Sequence, residues 1–134
     1  MDESKLKISL NEESIESLVY KKLKNKAKNP LIKSIIRVEI DKEDVVIRMK
    51  FTFKDINIKI EGEIYREFSF SADEGIDEKE LRDVLERDIN SICHPLFSKA
   101  SKLVADISNE VFLFPLIVPP NEWLEHEESD YKFI

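Results

Sequence analysis

The sequence predicts one α+β domain: an antiparallel β-sheet with a long, Pro-interrupted C-terminal helical region packed on one face. Three observations point there. Apolar and polar residues alternate from Ile36 to Phe70, the apolar spacing changes to that of a helix after Asp77, and prolines hold the stretch from Phe112 to Pro120 out of helix. The chain has 134 residues, of which 42% are hydrophobic and 37% charged, enough for one core spanning residues 1–134, with an acidic C-terminal tail over 122–134. No apolar run approaches the roughly 20 residues of a membrane span, so no membrane insertion is expected. The mixed-charge start and the single cysteine, Cys93, predict a cytoplasmic protein without a secretory leader or an internal disulfide.

The N-terminal part reads alone as an amphipathic helix. Ile15, Leu18, Val19 and Leu23 recur at helical spacing, Glu12, Glu13 and Glu16 come before and lysines after, and Asn29-Pro30 ends the pattern. Beyond it Ile36, Val38 and Ile40 form a first alternating run, closed by the charged turn Asp41-Lys42-Glu43-Asp44. Val45, Ile47, Met49, Phe51 and Phe53 then alternate with Val46, Arg48, Lys50, Thr52 and Lys54. After Lys54-Asp55 the apolar face continues through Ile56, Ile58, Ile60, Gly62, Ile64, Phe68 and Phe70. Short connections between such strands predict antiparallel neighbours.

Asp77 has the side chain to cap a helix, Glu80 stands three residues on to complete a capping box, and Ile76 and Leu81 hold the hydrophobic-staple positions. Leu81, Val84, Leu85, Ile89 and Ile92 make its buried stripe. His94-Pro95 is expected to kink or break the helix, and Leu96, Ala100, Leu103, Val104, Ile107 and Val111 carry the stripe onward.

Composition narrows the chemistry. A formal net charge of −7 disfavours broad attraction to nucleic acid or anionic membrane. A local basic strip, Lys21, Lys22, Lys24, Lys26, Lys28, Lys33 and Arg37, has no interleaved aromatics or glycines of the kind that make a single-strand platform. Two glycines in the whole chain leave no phosphate-cradling loop. His94 and His126 are the only histidines and Cys93 the only cysteine, so a nucleophile–base pair has little support and the usual zinc signatures are absent. The chain is therefore read as a non-enzyme without cofactors, with Cys93 a small buried side chain. The aromatics are core by default, but the apolar run from Phe112 to Pro120 must cover something, as a lid or edge, or line a groove for apolar peptide segments.

The order of elements, with the step His94-Pro95-Leu96-Phe97 in the long helix and then Phe114-Pro115-Leu116-Ile117-Val118-Pro119-Pro120-Asn121, resembles the SecB-like export chaperones over roughly residues 45–123. That resemblance implies a non-enzymatic chaperone, a dimer of dimers, that binds unfolded polypeptide or preprotein along apolar grooves and serves export or guards an antitoxin. It also implies a strand for the N-terminal segment, so helix and strand both stand for residues 11–28. Client-binding residues are expected at Phe51, Phe53, Phe68, Phe70, Phe112, Phe114 and Trp123, and an acidic surface for a translocase motor at Glu61 and Glu63. The zinc-binding tail of many such proteins is missing here, as is the glycine expected between the long helix and the Phe-Pro step. The rival readings are a self-assembling interaction subunit, for instance of a mobile element, and a small-molecule carrier with a pocket between sheet and helix.

Overall fold

The computed structural model describes residues 6–23, 31–55, 57–72, 75–125 and 130–133, with backbone alone for Leu6, Leu124, Glu125 and residues 130–133. The helix end expected at Asn29-Pro30, Lys24, Lys26, Lys28, Ile56 and His126 lie outside the described residues. Strands β1 (Leu6–Lys22), β2 (Leu31–Asp41), β3 (Asp44–Asp55) and β4 (Ile58–Ala72) precede helix α1 (Glu78–Phe112), the short helix α2 (Glu122–Glu125) and strand β5 (Asp130–Phe133). The sheet order is β1-β4-β3-β2-β5; the first four strands are antiparallel neighbours and β5 runs parallel to β2.

Period-two alternation in β2, β3 and β4 puts Ile36, Val38, Ile47, Met49, Ile60 and Ile64 on one face, all with no exposure, and α1 lies across that face. The helix contributes Leu81, Leu85, Cys93, Leu96, Ala100 and Val104, equally buried. Each large apolar side chain so enclosed is worth about 1.5–3 kcal/mol, which makes this face the main source of stability. Asp77 caps α1 as expected, its carboxylate accepting the Glu80 N–H at 2.8 Å. The charged turn is tight: Lys42 takes φ 56°, and its N–H donates to Glu78 of the first helical turn at 3.1 Å.

The helical reading of the N-terminal segment is overturned. Residues 6–22 form the longest strand, and its two bulges explain the misleading spacing. Against β4, one extra residue enters between Leu10 and Glu12 and another between Ile15 and Ser17. Each insertion resets which residues share a face, so Leu10 and Glu13, and again Ile15 and Leu18, point the same way three residues apart. A strand with two parity shifts thus imitates a helical period. The inserted Glu16 reaches Arg48 of β3 at 2.6 Å, and the inserted Asn11 donates to Ser69 at 2.6 Å.

The helix passes through Pro95 as part of one element, and the residue with non-helical angles is Asp88 (φ −109°, ψ 20°), two turns upstream. Pro95 removes the N–H that would have bonded the Ser91 carbonyl; Ser91 is exposed, so water can serve it. At the other end Leu113 takes the left-handed conformation (φ 63°, ψ 17°) usually given to glycine.

From there the chain folds back. The Ser108 hydroxyl accepts the Leu116 N–H and donates to the Val104 carbonyl, both at 2.7 Å. Val118 is buried, and Trp123 is wholly enclosed: its indole N–H donates to Ser101 at 2.9 Å, its carbonyl accepts from Ser34 at 2.6 Å, and its ring meets Phe51 edge-on at 5.4 Å.

Candidate functional site

Among the described residues the exposed large apolar side chains fall in two places, on β1 and just after α1. In an antiparallel pair, directly opposed residues project to the same side. Ile8 stands opposite Phe70, Leu10 opposite Phe68, Ile15 opposite Ile64, Leu18 opposite Gly62 and Tyr20 opposite Ile60, so these five residues of β1 share the face that α1 covers on β4, β3 and β2. Yet they remain 36–55% exposed, because β1 ends the sheet and the helix does not extend over it. The result is an apolar shelf beside the helix. Its midpoint is charged: Glu13, opposite Arg66, pairs with Lys99 of α1 at 2.6 Å and lies 3.1 Å from the Arg66 Nε.

The second surface is built by the backbone. The left-handed turn at Leu113 leaves that side chain 89% exposed, with Phe114 at 50% and Ile117 at 73%, while Val118 between prolines turns inward. Phe112 is half-buried and stacks on Phe114 at 5.8 Å.

Of the seven aromatics expected to meet a client, Phe112 and Phe114 are accessible. Phe51, Phe53, Phe68, Phe70 and Trp123 are inside, none more than 7% exposed in this chain. Phe68 and Phe70 nevertheless border the shelf, as the cross-strand neighbours of Leu10 and Ile8. The shelf residues are not singled out by the sequence, because the segment taken alone has a helical spacing and its choice between helix and strand stays open. A signal existed in the alternation of Leu6, Ile8 and Leu10, which is a strand period.

Glu61 and Glu63 are on the opposite face of the sheet. Lys59 pairs with Glu61 at 2.8 Å and holds its carboxyl below the usual carboxylate range; Glu63 stands opposite Lys50 and Glu61 opposite Thr52 in the register. The two acids therefore sit in a mixed-charge surface. A depression of about 380 Å³ there, lined by the polar Ser17, Lys50, Thr52, Glu61 and Glu63 together with Val19, Phe51 and Gly62, is an open dish of mixed character, unlike the enclosed pocket of a carrier. Cys93 is buried, and burial pushes its thiol up to about 12. Among the described residues no group of three or more His, Cys, Asp or Glu could hold a metal, and no helix is long and apolar enough to cross a membrane.

An antiparallel sheet crossed by one long C-terminal helix is an α+β fold that matches a SecB-like chaperone. Among solved structures, the SecB-like chaperone Rv1957 of Mycobacterium tuberculosis, in complex with a ChAD peptide from the Rv1956 HigA1 antitoxin, matches at a TM-score of 0.67 and 16% identity, over 84% of this chain and 86% of that one. A protein of unknown function from Streptococcus agalactiae matches at 0.54 and 11% identity, over 85% and 98%. No protein-family model and no curated protein matches the sequence.

Proposed function

We propose that this protein is a non-enzymatic, SecB-like holder of non-native polypeptide, acting in the cytoplasm as a homo-oligomer. The observation that carries the reading is the helix-side face of β1, where five large apolar side chains line one edge of the sheet without a cover. An unfolded client offers scattered apolar side chains and no fixed sequence, so a long apolar shelf with charges along it suits this task better than a shaped pocket. The projection of Leu113, Phe114 and Ile117 supplies a second contact, stacked on Phe112. A peptide-bound SecB-like neighbour supports a polypeptide partner, and an antitoxin or a preprotein are both clients of that class. The whole of residues 1–134 acts as one unit in this reading, and the mixed-charge surface around Glu61 and Glu63 is the place for a motor protein to bind.

The test is suppression of aggregation of a chemically denatured protein. The native chain suppresses it, and Leu10→Ser and Leu18→Ser, which remove exposed side chains, each weaken client binding by about 1–2 kcal/mol with the fold retained. A native chain that suppresses nothing, yet is an oligomer by light scattering, shifts the reading to the interaction subunit, with β1 covered by a second copy.

A further inference from the structure

The charged midpoint of the shelf is unbalanced. Two cations, Lys99 from α1 and Arg66 from β4, converge on the one carboxylate of Glu13, with Lys99 Nζ at 2.6 Å from Oε1 and Arg66 Nε at 3.1 Å from Oε2. The Arg66 side chain is only 13% exposed, its guanidinium stacks over the Phe68 ring at 5.1 Å, and its Nε, though near Glu13, is inaccessible and points out of line for a hydrogen bond. No other carboxylate among the described residues pairs with either cation. A guanidinium so withdrawn from water with one imperfect partner retains donors for a second acid.

What surrounds the cluster says what that acid belongs to. On the same face Ile8 and Leu10 lie to one side of Glu13, and Ile15, Leu18 and Tyr20 to the other, all exposed. Leu10 and Ile15 flank the cluster within about 15 Å along the strand, the reach of four or five extended residues. An anion arriving alone would find its cations bordered by hydrocarbon, whereas an extended peptide with an acidic residue between apolar ones would satisfy both.

We propose that the Glu13–Lys99–Arg66 cluster selects clients carrying an Asp or Glu within about two residues of apolar side chains on both sides, the acid displacing or sharing Glu13 on the two cations while the apolar residues occupy the two halves of the shelf. This selectivity rests on the shelf being the polypeptide site. Glu13 acts as an internal stand-in for the client's acid and sets how strongly the cations attract one.

The experiment uses the full-length protein and three fluorescent peptides of about eleven residues, identical except for a central Glu, Gln or Lys between apolar residues, with binding read by anisotropy at two salt concentrations. The Glu peptide binds tightest, by about five-fold over Gln, the size of one half-exposed ion pair, and the advantage shrinks at high salt. Lys99→Gln reduces the Glu preference at unchanged Gln-peptide affinity, and Glu13→Gln enlarges it, an increase that a purely structural role for Glu13 would not produce. Equal binding of the Glu and Gln peptides, or a Glu13→Gln variant that remains folded and shows no gain, overturns the selectivity alone. Absence of binding by all three overturns the polypeptide-site reading and the selectivity with it.

Discussion

Replacing Gly62 by alanine tests how tightly the shelf is supported from below. A Cβ at Gly62 would stand 2.5 Å from Cζ and 2.6 Å from Cε1 of Phe51, and 3.2 Å from the Ser17 carbonyl oxygen. Phe51 cannot swing aside, because its ring is set edge-on against Trp123, and Trp123 is held at both ends by Ser34 and Ser101. Overpacking of this kind costs about 1–3 kcal/mol, and spoiling the ring contact adds about 0.5–1.5 kcal/mol. The lower chain entropy of alanine in the unfolded state returns about 0.4–1 kcal/mol. The net loss is about 2–3 kcal/mol, read from urea midpoints at unchanged slope, with a fall in Tm on the order of 10 °C for a chain this size. Gly62→Ala combined with Phe51→Leu, which removes the atoms in conflict, is more stable than the two single losses added together. A Gly62→Ala protein as stable as the native one, or strictly additive losses, would refute the clash as the reason for glycine here.

Trp123→Ala removes a wholly buried ring and lowers stability by about 3–5 kcal/mol, whereas Phe114→Ala changes it by less than about 1 kcal/mol and instead weakens aggregation suppression; denaturation and client assays on both variants separate the roles. Leu113→Gly relieves a left-handed leucine and raises stability by about 1 kcal/mol, while its loss of an exposed side chain lowers client affinity, so unfolding and binding move in opposite directions. The buried Cys93 thiol, pushed up to about 12, resists alkylation at pH 9 until the protein is unfolded. Because its folded-state pKa lies above the unfolded value, its contribution is intact below about pH 9 and is lost as pH rises from there toward 12, which pH-dependent denaturation of the native and Cys93→Ala proteins measures by difference.

Much of the sheet could be read directly because β3 and β4 keep one parity throughout: Val45 to Phe53 and Ile58 to Phe70 alternate without a break, and the odd polar member, Arg66, is one of the cations at the shelf. The start of α1 was equally legible, since a cap is a local interaction between Asp77 and Glu80. Strand β1 was not, because its bulges belong to its pairing with β4 and leave in the sequence only a spacing of three. The site was legible in kind, as apolar side chains left open, but displaced: the phenylalanines with the greatest apolar area were drawn beneath the helix, and the smaller aliphatics of the edge strand were left outside. Trp123 looked like part of a tail and is a core residue, because its partners Ser34, Phe51 and Ser101 are brought to it only by the tertiary fold.

The two bulges in β1 also bear on survival in a crowded cell. A seventeen-residue strand at the rim of a sheet, studded with isoleucine and leucine, is a natural template for chain-on-chain growth into fibres. Every new copy in such a fibre would need a straight, regular rim to copy. The insertions at Asn11 and Glu16 bend the strand and interrupt its ladder twice. Irregularity thus lets the rim stay sticky toward foreign chains while refusing endless repetition of itself.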